Sequence, residues 1–267
     1  MVGPFRFTMR ITAYILLLTV FMGCNADKKN DTKTEVFHLP TLYTPTIKDT
    51  VHYFETDSMA ASEPVVMGKY KTSDTINVTY SNKHLTGFIG ENRLRVCTDT
   101  LSSDGFEIIP DYKYYVPFKD YYRSYFYYYP VYIVNETTSS KLFQGKDNYM
   151  YAIQEAQDSF HSWYPVECRT FDFCGNGVYG LKVEPQEFVL CLFPKYKGHY
   201  KTLMRIRIVI NGNVYLSVPF KGEINYGQFY PKRGMQSWLR EYPGYAMSQF
   251  YGALPKDFYK WGSKATN

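Results

Sequence analysis

The chain has no hydrophobic run long enough for a permanent membrane helix. Its longest, Ile11 to Met22, is twelve residues, a rise of about 18 Å against a hydrocarbon layer of roughly 30 Å. Histidine is scarce, and His38, His52, His84, His161 and His199 show no metal-ligand spacing. With no His-Glu-x-x-His and no paired Cys-x-x-Cys, no metal is assigned. There is no Gly-x-Ser-x-Gly elbow, and no two carboxylates stand out as acid and base, so no catalytic residue is assigned. Net charge is small, with 30 Lys and Arg against 25 Asp and Glu. Removing residues 1–23, which carry Arg6, Arg10 and no acid, leaves 28 against 25. A balance that mild and dispersed is not a nucleic-acid footprint.

Aromatic residues are what the sequence has in excess, with 28 Tyr and 19 Phe, and a strand-rich chain is the ordinary reason for such usage. Residues 64–125 alternate short β-prone pieces with turn signals. Thr75 to Tyr80, Arg93 to Thr98 and Phe106 to Ile109 are separated by Ser81-Asn82-Lys83, Gly90-Glu91-Asn92 and Ser102 to Gly105. Residues 126–230 repeat the pattern with strands expected at Tyr128–Asn135, Asn148–Ala156, Trp163–Phe173, Leu181–Glu184 and Glu187–Phe193. Met204, Ile206, Ile208 and Ile210 share one face opposite Arg205 and Arg207. Asn211-Gly212-Asn213 turns the chain, and Val214, Leu216, Val218 and Phe220 resume the alternation. This is a β-hairpin signature. The fold class is therefore all-β, an immunoglobulin-like β-sandwich over 126–230 preceded by a smaller β-rich region over 64–125. Met150, Ile153, Ala156 or Gln157, and Phe160 also fit helical spacing, but the neighbouring strands favour a strand there. Residues 231–267, with Trp238, Tyr242, Tyr245, Phe250, Tyr251, Phe258, Tyr259 and Trp261 broken by Pro243 and Pro255, read as an irregular or briefly helical aromatic tail.

Several local patterns have bland explanations. Gly175-Asn176-Gly177-Val178-Tyr179-Gly180 matches the dinucleotide fingerprint letter for letter. That motif needs a helix to follow, whereas Leu181 to Val183 reads as a strand and Pro185 comes next, so it is a glycine-rich turn and no cofactor is assigned. Cys174 with His199 is a candidate thiol–imidazole pair, without a hydrolase signature around it. Asn77-Val78-Thr79 and Asn135-Glu136-Thr137 are glycosylation sequons by pattern only. The most biased stretch holds Tyr112, Tyr114, Tyr115, Tyr121, Tyr122, Tyr125 and Tyr127 to Tyr129. Rings exposed on a sheet offer flat apolar faces with polar tips to sugars or a partner protein, and rings facing inward are core.

At the amino end, Arg6 and Arg10 precede the apolar run, which closes on Phe21-Met22-Gly23-Cys24-Asn25. This resembles the lipobox of a bacterial lipoprotein signal peptide, although Phe21 stands where that pattern usually has Leu. The resemblance covers about residues 1–25. It implies cleavage before Cys24, diacylglycerol on its thiol with a further chain on the new amino terminus, and stable anchoring by multiple chains. Asn25 in place of a retention aspartate implies the outer membrane. Assigning Cys24 to lipid leaves Cys97, Cys168, Cys174 and Cys191 as candidate disulfide cysteines; two bridges, one bridge or none all fit. Residues 24–63 then read as the lipidated cysteine and tether, with polar residues 25–34 spanning roughly 17 Å as a coil and Pro40 and Pro45 favouring an extended approach to the body.

Together these features point to a membrane-anchored lipoprotein of the cell envelope with a non-catalytic binding or structural module. A carbohydrate-binding or envelope-assembly accessory and a hydrolase without a readable motif are the alternatives. Expected partners are the membrane, through lipid on Cys24, and an envelope protein or polysaccharide, with no nucleic acid.

Overall fold

The computed structural model describes residues 36–44, 46–55, 63–70, 75–78, 101–119, 124–146, 149–169, 178–231 and 233–262, all within the unit Glu35–Asn267. Cys24, Cys97 and Cys174 lie outside them, as do the expected strand 93–98 and the first half of the glycine motif. In chain order the strands are β1 (Leu42–Tyr43), β2 (Val51–His52), β3 (Glu63–Lys69), β4 (Ile76–Asn77), β5 (Phe106–Pro110), β6 (Val116–Lys119), β7 (Tyr125–Asn135) and β8 (Lys141–Lys146). They continue with β9 (Tyr149–Met150), β10 (Ala152–Gln157), β11 (Trp163–Pro165), β12 (Val178–Val183), β13 (Glu187–Pro194), β14 (Tyr200–Ile210), β15 (Asn213–Leu216) and β16 (Phe220–Ile224). Helices α1 (Arg233–Glu241), α2 (Pro243–Ser248) and α3 (Phe258–Gly262) follow. The body is all-β, and the 149–157 segment is extended rather than helical, as two strands of different sheets, β9 and β10, with a bend at Tyr151 between them.

Strands β7 and β13 are apolar on both sides, and they become the centre of the molecule because only a position covered on both faces satisfies such sequences. They pair antiparallel from Phe188↔Val134 to Pro194↔Tyr128. β3 flanks β13, while β5 and β6 pair with successive parts of β7 on its other edge. Residues 63–119 and 125–194 thus contribute to one sheet. One face of it, with Tyr129, Val131, Ile133, Val189, Cys191 and Phe193, meets Phe143 and Leu181 of the β12-β8-β9 sheet and Ile206, Ile208 and Ile210 of β14. The opposite face, with Tyr128, Tyr132, Phe188 and Leu190, is covered by Leu42, Ile76 and Val78. Residues 40–44 contain the short strand β1 and no helix, and they pack: the Tyr114 hydroxyl donates to the Leu42 carbonyl at 2.8 Å.

A second main sheet runs β11-β10-β14, with β15 and β16 sharing the far edge of β14. The Asn211-Gly212 turn has positive φ at both residues (50° and 76°), the geometry that matches strand twist in a two-residue hairpin. Met204, Ile206, Ile208 and Ile210 are buried as the alternation predicted. Arg205 and Arg207 occupy the outer face, where their Nε atoms donate to Glu155 at 2.5 and 2.8 Å. Val214, Leu216 and Val218, in contrast, are exposed. Ile210 pairs with Asn213 and Val209 with Val214, so the tight turn hands the core face to Tyr215 and leaves Val214 and Leu216 on the arginine side. The strand expected over 163–173 is shorter, ending at Pro165. The aromatic tail is helical, and Met235, Leu239, Phe250 and Phe258 cover Ile153 on the outer side of β10. Among the described residues no helix is long and apolar enough to cross a membrane.

Candidate functional site

Where the two main sheets approach each other, the links between their strands enclose a cleft of about 530 Å³. Its walls come from four distant segments: Tyr53 after β2, Tyr112 and Tyr115 between β5 and β6, Lys195 to Lys197 after β13, and the paired starts and ends of β14 and β16. The segments are fastened by main-chain bonds. Phe54 N–H donates to the Lys195 carbonyl and Lys197 N–H to the Phe54 carbonyl, and Asp111 N–H to the Pro130 carbonyl. Across the β14–β16 ladder Lys201 faces Glu223, Thr202 faces Gly222 and Leu203 faces Lys221, so three consecutive pairs present their ends to the cleft. Gly222 lets the strand pass close to the core there: a Cβ on it would lie 2.4 Å from the Met204 sulfur and 3.3 Å from the Tyr112 ring, so any larger residue must displace the Met204 side chain.

Lys195 is the centre of the site. It is only 4% exposed, and its ammonium lies 4.1 Å from the Tyr112 ring centroid and 3.6 Å from that of Tyr115 while donating to the Tyr112 carbonyl. Burial lowers its pKa to about 8, partly opposed by Asp111 and Glu223, because a charge removed from water favours its neutral form. Lys197 lies 5.0 Å over the Tyr53 ring. Tyr53, Tyr115 and Tyr127 form a cluster with centroid separations of 4.7 to 6.4 Å, and Tyr115 is 47% exposed. The Tyr112 hydroxyl is buried without a hydrogen-bond partner among the described residues, and burial pushes it well above the ordinary tyrosine range.

Beneath the cleft is a closed polar network. Tyr196, part of the lining, donates its hydroxyl to Glu167 at 2.6 Å. Glu167 also accepts from the Gln154 backbone N–H at 2.7 Å and its Nε2 at 3.2 Å. That Nε2 also donates to the Pro194 carbonyl, and Gln154 Oε1 accepts from Tyr129. Burial raises the Glu167 pKa to about 7 despite these donors. Each member is satisfied by another, which is the condition under which a buried polar network holds strands in a fixed arrangement.

The residues singled out from sequence divide sharply. Tyr112 and Tyr115 line the cleft and Tyr127 supports it. Tyr128 and Tyr129 are core, and Tyr121 and Tyr122 lie outside the described residues. Cys191 is a buried thiol in the first core, its pKa pushed up by burial; Cys168 packs against the tail cluster. Asn135 is fully buried, with its amide donating to the Ser139 and Val183 carbonyls, which leaves no room for a glycan. Val178 to Gly180 belong to β12, so the end of the glycine motif is strand. His199 is exposed beside Gly198. Among the described residues no three His, Cys, Asp or Glu could hold a metal. Tyr53, Lys195, Lys197, Lys201 and Lys221 were not singled out; the recurrence of lysine around β13, β14 and β16 was the available signal.

No protein-family model, no curated protein and no solved structure matches this chain. What the cleft defines is a class of site: flat aromatic faces beside concentrated positive charge, on a rigid β frame.

Proposed function

We infer that the protein is an exported envelope lipoprotein, anchored to the outer membrane through Cys24, whose β body is a non-catalytic saccharide-binding module. The anchor is supported by the order Arg6, Arg10, apolar run, Gly23-Cys24. The binding reading rests on one observation, the tyrosine-lined cleft. Its volume falls within the range of small-ligand sites, and the half-exposed Tyr115 offers a flat apolar face next to hydrogen-bonding groups, which is what a sugar ring with its apolar face and polar rim requires. In this reading the sheets serve as those of an immunoglobulin-like sandwich do, as a packed frame with the site built at the rim.

Two measurements test it. On an array of envelope polysaccharide fragments, the full chain is expected to bind, and Tyr115→Ala and Tyr53→Ala to weaken retention by up to about tenfold, the worth of an aromatic contact. A blank array, or undiminished binding by both variants, rejects the saccharide reading. For the anchor, intact mass of the membrane fraction should show a chain starting at Cys24 with added acyl mass. In Cys24→Ala that mass should vanish and the protein should leave the membrane; equal membrane retention of both forms refutes the lipid assignment.

A further inference from the structure

Four lysines, 195, 197, 201 and 221, line the cleft against the single carboxylate of Glu223. Among the described residues neither Lys197, Lys201 nor Lys221 is engaged in an ion pair. Lys195 has three ammonium protons and, among the described residues, one acceptor, the Tyr112 carbonyl, so two protons are left for a ligand although the side chain is nearly inaccessible. The aromatic box that would otherwise attract a cation is already filled by that ammonium. A cationic ligand would meet its own charge there, and a neutral one would leave the surplus uncompensated. An anion supplies what the site lacks, because charge-assisted hydrogen bonds to ammonium groups in a partly dry cleft are stronger than neutral ones.

We propose that the cleft selects an acidic saccharide, a sugar carrying a carboxylate or a phosphate, with the anionic group against Lys195 and the outer lysines and the ring on Tyr115. This rests on the saccharide-binding reading and adds its ligand class. Lys195 fixes the position of the charge, since Tyr112 and Tyr115 hold it from two sides. Lys197, Lys201 and Lys221 provide the field that draws the anion in, and that field weakens with salt. Glu223 remains as an acceptor for sugar hydroxyls.

The test is calorimetric titration of the full chain with matched pairs: galacturonic acid trimer against galactose trimer, and glucose 6-phosphate against glucose. The acidic member of at least one pair should bind at least tenfold tighter, which also tells carboxylate from phosphate. Lys195→Met should reduce the acidic ligand to the level of its neutral partner. Lys221→Ala, at an exposed position, should weaken it several-fold with the fold unchanged by circular dichroism, so a folding failure of the first variant does not leave the matter open. Tyr115→Ala should weaken acidic and neutral members alike. Affinity for the acidic member should decline as pH rises through about 8, where Lys195 loses its proton. Equal binding within both pairs overturns the acidic selection and leaves the saccharide reading standing. Tighter binding of a glutamate oligopeptide than of any sugar, unaffected by Tyr115→Ala, overturns both.

Discussion

Gly198→Ala is expected to lower the thermal midpoint by about 10 °C and to disable the cleft at the same time. Gly198 lies in the short link between β13 and β14, pressed against the end of β16. A Cβ there would fall 2.1 Å from both the carbonyl carbon and the oxygen of Ile224 and 2.4 Å from the Asn225 nitrogen. These are main-chain atoms, so no rotamer change relieves the overlap, and Ile224 is itself fully buried. The link or the strand must move. Overpacking of this kind costs about 3 kcal/mol at the upper end of its usual range, and for a unit of this size each kcal/mol shifts the midpoint by about 2–4 °C. Lys195 and Lys197 precede Gly198 and Lys201 to Leu203 follow it, so the displacement is passed to both walls. Gly227→Ala is the control: nothing lies within 4 Å of its Cβ position. A midpoint for Gly198→Ala within 2 °C of that control would show that the link yields without cost.

The part of this architecture legible in sequence is the part governed by neighbours along the chain. The β14–β15 hairpin follows from period-two alternation and a turn dipeptide that tolerates positive φ. The runs Tyr128–Asn135 and Glu187–Phe193 read as strands because little else packs such apolar stretches. What alternation could not supply was phase. Val214 and Leu216 have the same spacing as Ile206 and Ile208, yet the pairing Val209↔Val214 puts them on the solvent side, since a shift of one residue exchanges the faces of a strand. Phe220 pairs with Met204 and returns inward only because the strand breaks at Ser217 to Pro219. The cleft was less legible still. Tyr112 and Tyr115 stood out by local bias, but that bias also included Tyr128 and Tyr129, which parity on β7 sends into opposite cores. Tyr53, Lys195 and Lys221 are separated by up to 168 residues, and only the pairing of β2 and β13 with β7, and of β16 with β14, brings them to one place. Such a site is a property of topology, and no window along the chain contains it.

Glu167 should make the native state less stable as pH rises from about 4.5 to about 7. Its carboxyl is buried under Tyr196 with a folded pKa of about 7, against 4.5 when exposed. Between those values the unfolded chain has released the proton and the native state still binds it, so unfolding releases a proton and stability declines with increasing pH. The contribution is full below pH 4.5 and is lost by about pH 7; the separation of the two values corresponds to about 3 kcal/mol. Glu167→Gln preserves the shape and one acceptor oxygen, enough for the Gln154 backbone N–H, and puts an NH2 toward the Tyr196 hydroxyl, which can accept from it, while removing the titration. Urea unfolding at pH 5 and pH 7.5 should therefore give a wild-type loss about 2 kcal/mol larger than that of Glu167→Gln, because at pH 5 the unfolded carboxyl is already largely ionised, all other ionisable groups being common to both. Parallel pH profiles would mean that Glu167 does not carry its proton in the native state and that its three donors outweigh burial. Glu167→Ala should be the more damaging change, because it strands the Gln154 amide donors and the Tyr196 hydroxyl in a dry interior, where each unpaired group costs about 1–3 kcal/mol. Because Tyr196 both caps this network and lines the cleft, Glu167→Ala should also weaken ligand binding, whereas Glu167→Gln should retain it.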